Sequence, residues 1–168
     1  MGIVQTRGSL VNVTKSENKI QFSMNGNTRF HFTACKPPLD SSGEGSFWKV
    51  TFDTMNGWVL LGIIGNLGAS HMSYADSTSY GWAGSSQVYH GGTDRSGDDG
   101  WTSFAQGECL YFHLKANKLT MFSVQKNKKC TIDVATTVGA YYIHFNTHYI
   151  GTKWTLEPLS EEECSRFL

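Results

Sequence analysis

Six histidines, His31, His71, His90, His113, His144 and His148, bring imidazole, the usual general base and a common metal ligand, to six places in this chain. Their spacing argues against both roles. His144 and His148 stand four apart, which aligns two ligands on a helix, but here they fall in a strand and the turn after it, with no third ligand near in sequence. Gly97-Asp98-Asp99-Gly100 has oxygens a cation could take, yet an exposed acidic loop is the simpler reading. Cys35, Cys109, Cys130 and Cys164 are scattered and form no Cys-x-x-Cys pair. Neither a Gly-x-Ser-x-Gly elbow nor a phosphate-loop pattern occurs. The expectation is a chain that is not an enzyme and holds no metal or cofactor.

Charge and hydropathy narrow the partners. Fourteen basic and fourteen acidic residues give a formal net charge of +0, so there is no basic field to track nucleic-acid phosphates. No apolar run approaches the ~18 residues of a membrane-spanning helix. Met1-Gly2-Ile3-Val4-Gln5-Thr6 fits the short myristoylation pattern at Gly2, but one acyl chain without a polybasic patch holds a membrane only marginally. Asn12-Val13-Thr14 has the form of a glycosylation sequon, read as chance because no secretory segment stands before it. Four cysteines permit two disulfides, yet the same reasoning favours a reducing, cytoplasmic compartment.

These residues must be carried by short strands. Gly at 18 positions and 13% aromatics against 17% charged residues is the balance of a turn-rich all-β protein, and residues 1–168 are expected to form one domain. Residues 107–130 are the most regular stretch. Leu110, Phe112 and Leu114 alternate on one face of a strand and Leu119, Met121 and Ser123 on the next, joined by a tight turn in which Asn117 tolerates positive φ; a third strand should follow. Earlier strands are expected over 9–14, 19–23, 29–33 and 47–52, with Trp48, Val50 and Phe52 on one face and Phe47, Lys49 and Thr51 on the other. Asn56-Gly57 reads as a hairpin turn into residues 58–64, which are apolar on both faces and should lie centrally under a second sheet. Residues 65–100 lose periodicity apart from 79–82 and 87–89, as a functional surface or lid does. Strands over 141–145 and 153–156 close the ladder, and a helix is expected over 160–168, with Ser160 as cap and acidic residues in its first turn. About a dozen short strands imply two antiparallel sheets packed face to face.

The segments containing Pro37-Pro38-Leu39-Asp40-Ser41-Ser42-Gly43, Phe47-Trp48-Lys49-Val50, Trp58-Val59-Leu60-Leu61-Gly62-Ile63, Tyr80-Gly81-Trp82 with Val88-Tyr89-His90-Gly91-Gly92, and the 107–129 hairpin together resemble the SPRY domain, in family order over residues 9–157. The texture is nearest to SPRY modules that accompany a SOCS box, although His113 and Lys115 stand where that family's hairpin usually carries acidic residues. The resemblance implies a bent β-sandwich of the concanavalin-like jelly-roll type. It also implies a monomeric interaction module whose loops, at one end, grip a short peptide or a partner protein's surface, often for a ubiquitin ligase. Carried over by position, the binding residues would be Asn25 and Asn27, Asn56, Ser70 and His71, and Asn146, Thr147 and His148, where related modules have a Val-Trp-Gly turn. Uncharged amides there would suit a peptide backbone.

Tyr74, Tyr80, Tyr149 and Trp101 fall in loops on this reading, where aromatics with polar tips suit recognition; Tyr74 and Tyr149 join the binding set, and packing beneath the long segment is an equal alternative for Tyr80. A second resemblance points to another class. His144-Phe145-Asn146 with Trp154 and Glu157 is similar to the carbohydrate site of galectins, which implies a lectin.

Overall fold

The computed structural model describes residues 4–7, 11–25 and 30–167. Asn27, within the expected binding set, and Gly2 lie outside them. Among the described residues fourteen strands form two antiparallel sheets of seven. The first has the order β1 (Val4–Arg7), β4 (His31–Cys35), β13 (Tyr142–Thr147), β6 (Val59–Ile64), β7 (Ser79–Ala83), β8 (Val88–His90) and β9 (Thr93–Asp94). The second has the order β12 (Lys128–Asp133), β11 (Lys118–Ser123), β10 (Cys109–Lys115), β5 (Ser46–Thr54), β14 (Lys153–Glu157), β3 (Ile20–Met24) and β2 (Val11–Lys15).

Period-two alternation sets the core. On β5 the side chains of Trp48, Val50 and Phe52 are buried between the sheets while Lys49 and Thr51 face outward, as the sequence predicts. Within the second sheet Trp48 stacks on its cross-strand partner Phe112 with centroids 5.3 Å apart, and Phe22 on Trp154 at 5.1 Å, while the two sheets meet through tilted rings, Phe145 against Trp154 at 5.3 Å and Trp82 against Phe112 at 6.3 Å. β6 is buried at all six positions because its outer face is covered too: residues 65–78 fold back over the first sheet, where Phe32, Ala34, Ile64 and Ala69 form a small second cluster. β6 and β7 touch through paired Gly62 and Gly81, and a Cβ at Gly62 would lie 1.9 Å from the Tyr80 carbonyl oxygen.

Several details differ from the sequence reading. Asn56-Gly57 is not a hairpin turn, because β5 and β6 lie in different sheets and the turn crosses between them. In the β10–β11 turn, Ala116 rather than Asn117 takes positive φ, at 50°. Tyr80 sits on β7 at 8% exposure and Trp101 is 3% exposed, its indole donating to the Ala83 carbonyl at 2.9 Å, so neither presents a ring from a loop. β1 and the two-residue β9 carried no hydrophobic alternation and were not expected. The terminal helix is shorter than 160–168: α1 (Glu161–Cys164) runs into a 3-10 turn at Ser165–Phe167. Ser160 caps it, accepting from the Glu163 amide while the Glu163 carboxylate accepts from the Ser160 amide.

Candidate binding surface

At one end the chain passes from one sheet to the other three times, after β3, after β5 and after β13. Backbone bonds tie these passages. The Met24 amide donates to the Thr152 carbonyl and the Gly151 amide to the Met24 carbonyl, both at 3.0 Å, and the His148 amide donates to the Trp58 carbonyl at 3.0 Å. Asn56 Nδ2 reaches across to the Ile150 carbonyl at 2.6 Å. Gly57 has φ of +73°, and the space a side chain would need is taken by the Tyr149 ring, so this glycine serves both the turn and the seat of the tyrosine.

Residues 65–78 approach the same end from outside the first sheet. Asp76 organises them: its carboxylate accepts from the Thr78 amide and hydroxyl at 2.9 and 2.6 Å and from Asn66 Nδ2 at 2.8 Å. Burial pushes that carboxyl up, but the bonds from Thr78 and Asn66 outweigh it and hold Asp76 below its ordinary value. Beneath the segment lies a buried polar chain. Asn146 Nδ2 donates to the His71 carbonyl at 2.8 Å and to Ser73 Oγ at 2.7 Å. Ser73 Oγ in turn lies 2.8 Å from His144 Nε2, in a bond whose direction follows the tautomer of the ring. Burial pushes His144 down to about 3, so the ring is neutral and its Nδ1 faces Ser79 Oγ at 3.5 Å. Ser73 and His144 are each 0% exposed, and the pair anchors a loop rather than forming a nucleophile and base open to substrate.

Asn146 and Thr147, placed in the binding set by the sequence, lie at 0% and 1% exposure. They underpin the surface instead of facing outward, and the Thr147 hydroxyl bonds Met24 Sδ. Asn25, Asn56, Ser70 and His71 are exposed, though the Asn56 amide is engaged within the chain. Tyr74 and His148 are half-buried and Tyr149 is 49% exposed. The described members of the set are therefore gathered at one end, but two of them by way of support.

Sequence reasoning missed the aromatic floor. Phe30 stacks on His148 with centroids 4.3 Å apart and planes 9° apart, meets Tyr74 at 5.0 Å and turns its edge to Trp58 at 6.1 Å. Tyr149 continues the row against His148 at 4.2 Å, and at the other side the Tyr74 hydroxyl touches Met72 Sδ at 3.8 Å. Four large hydrophobic side chains are exposed among the described residues, and three of them, Met72, Tyr149 and Ile150, belong to this row or adjoin it. Apolar side chains inside polar turns, Met72 in Ser70-His71-Met72-Ser73 and Ile150 before Gly151, were the available signal.

No galectin-like constellation is on the surface: His144, Asn146 and Trp154 are each 0% exposed, and Trp154 belongs to the other sheet. Among the described residues no group of three or more His, Cys, Asp or Glu could hold a metal ion. No described helix is long and apolar enough to cross a membrane.

No family model and no curated protein matches the sequence. Solved structures do match in three dimensions. The SPRY domain of human HERC1 is similar with a TM-score of 0.65 at 12% identity, over 88% of this chain and 93% of that one. A human SPRY domain gives 0.62 at 11% identity, over 91% and 99%. The PSpry domain of TRIM65 gives 0.55 at 12% identity, over 92% and 86%. At such identities the likeness speaks for the scaffold alone, and the scaffold of this chain is the SPRY fold.

Proposed function

We propose that this chain is a non-catalytic protein-interaction module that holds a short peptide or a partner protein's surface on its loop end. One observation carries the reading: the exposed large hydrophobics are concentrated there, on a floor of aromatic rings braced from beneath by buried polar bonds. Concentrated apolar exposure rimmed by polar residues marks interaction surfaces, and tyrosine and tryptophan are the usual anchors. Substrate recognition within a ubiquitin ligase is the use that the resemblance to SOCS-box SPRY modules suggests, and a monomer in a reducing, cytoplasmic setting is the form in which we propose it acts.

The test begins with a partner captured by the chain, identified, and then measured as a purified protein. Tyr149→Ser is expected to weaken binding by about 1 to 3 kcal/mol, the range for a lost aromatic anchor. Lys118→Ala, at the opposite end, where the side chain pairs with Asp133 in the open, is expected to leave binding unchanged. The reverse result would put the binding surface at the other end of the sandwich.

A further inference from the structure

Among the described residues the loop end offers apolar contact and little hydrogen bonding. None of Met72, Tyr74, Phe30, Tyr149 and Ile150 is charged, and two of the amides nearby are occupied: Asn56 Nδ2 by the Ile150 carbonyl, Asn146 Nδ2 by the His71 carbonyl and Ser73. Part of the backbone there is engaged as well, since the amides of His148 and Gly151 donate within the chain and the carbonyls of His71 and Ile150 accept within it. An extended peptide laid on such a stripe would bury amides and carbonyls with few partners to meet them, which is costly. A charged side chain would be desolvated with no opposite charge among the described side chains of the stripe to meet it. A helix satisfies its own backbone and needs only an apolar face to bury.

Resting on the proposed function, we infer that the loop end takes the apolar, uncharged face of an amphipathic helix in a partner protein, and not an extended peptide read through its backbone. Anchors at positions three and four apart would lie along the row from Met72 through Phe30 to Tyr149 and Ile150. Because no ion pair takes part, the complex is insensitive to salt, and burial of apolar area gives it a negative heat-capacity change.

Two displayed libraries selected on the whole chain test this. One presents a stable helix with a randomised face, the other unconstrained linear peptides. Binders are assigned to the loop end by their loss on the double variant Met72→Ser/Ile150→Ser, whose altered side chains are 44% and 46% exposed in the parent, and circular dichroism checks that this variant keeps the parent's fold. The expected result is that loop-end binders come from the helical library, carry apolar residues at that spacing, and change affinity by less than about threefold between about 0.1 M and about 1 M salt. Loop-end binders that are extended, or that lose more than about tenfold in salt, would overturn the helix while leaving the loop end as the binding surface. If binders from both libraries ignore the double variant, the loop-end reading falls and the helix with it.

Discussion

Two phenylalanine–histidine stacks lie on different outer surfaces of this molecule, and the chain treats them in opposite ways. Phe47 and His113 stack at 4.0 Å with planes 3° apart on the outer face of the second sheet, and the terminal turn covers them: Phe167 packs 5.9 Å from Phe47 and 5.4 Å from His113. His113 is left 9% exposed, gives its Nε2 proton to the Glu44 carbonyl, and is pushed by burial below its ordinary value. Phe30 and His148 stack almost as closely at the loop end, but the neighbour that extends their row, Tyr149, is 49% exposed. Rings in both places contribute packing. Among the described residues only the first stack has been given a lid, and the second is framed by loops tied to one another by hydrogen bonds, which is the arrangement expected of a surface meant to be covered by something else.

The largest effect is expected from cutting the bonds under the open stack. Asn146→Ala removes two buried donations, leaves the His71 carbonyl and Ser73 short of a partner, and is expected to cost about 1 to 3 kcal/mol of stability. It should also loosen residues 70–74, so hydrogen exchange there should rise more than in β10 or β11. Protection unchanged in that segment would show that the loop is held by its apolar contacts alone.

A matched pair then separates lid from surface. Phe167→Ser removes the cover from Phe47 and His113 and is expected to lower stability by about 1 to 2 kcal/mol while sparing partner binding. Tyr149→Ser should do the opposite, with stability changed by about 0.5 kcal/mol or less and binding lost. If both variants behave alike in the two assays, the contrast between a covered and an open cluster has no functional content.

The lid also has a pH signature. Burial tends to raise the Glu163 carboxyl, but bonds from Lys49 at 2.8 Å, from the Ser160 amide at 2.8 Å and from the Tyr111 hydroxyl at 2.9 Å hold it down to about 2 from an ordinary 4.5. A folded value below the unfolded one means the stabilisation is complete above about 4.5 and fades as pH falls towards about 2. Thermal midpoints of the parent and Glu163→Gln should differ at neutral pH, by the equivalent of about 1 kcal/mol for a half-buried network still open to solvent screening, and converge in that acid window. A gap that persists at the acid end would assign the effect to lost packing.

The sandwich was legible because alternation reports it directly: Trp48, Val50 and Phe52 inward on β5, and Leu110, Phe112 and Leu114 inward on β10. Destinations were not. Asn-Gly at 56 and 57 announces a turn, but nothing local says whether the next strand pairs with the last or joins the other sheet. The outward side of β13 shows the same limit. His144 and Asn146 point away from the core, as parity requires, and the binding set took Asn146 for a surface residue. They are buried because residues 65–78 return over that face, and the aperiodic sequence of that segment carries no sign of its path. The end that holds the candidate surface could thus be read from strand ends, while the split between supporting and exposed side chains depended on a loop's course.

The smallest effect belongs to the far end and tests whether the two ends are independent. Lys115 pairs with Lys118 across a two-residue turn in which Ala116 holds φ of 50°, a left-handed conformation its Cβ disfavours. Ala116→Gly relieves that strain, offset in part by the greater freedom of glycine in the unfolded chain, so the net expectation is stabilisation of about 0.5 to 1 kcal/mol. The turn closes β10 on β11, both interior strands of the second sheet, so the gain should appear in global unfolding measured by denaturant, with an unchanged slope. Partner affinity should be untouched, because the three crossovers that build the loop end take nothing from this turn. A change in affinity accompanying the change in stability would mean that the surface is set by the rigidity of the whole sandwich, and the contrast between one end and the rest would lose its basis.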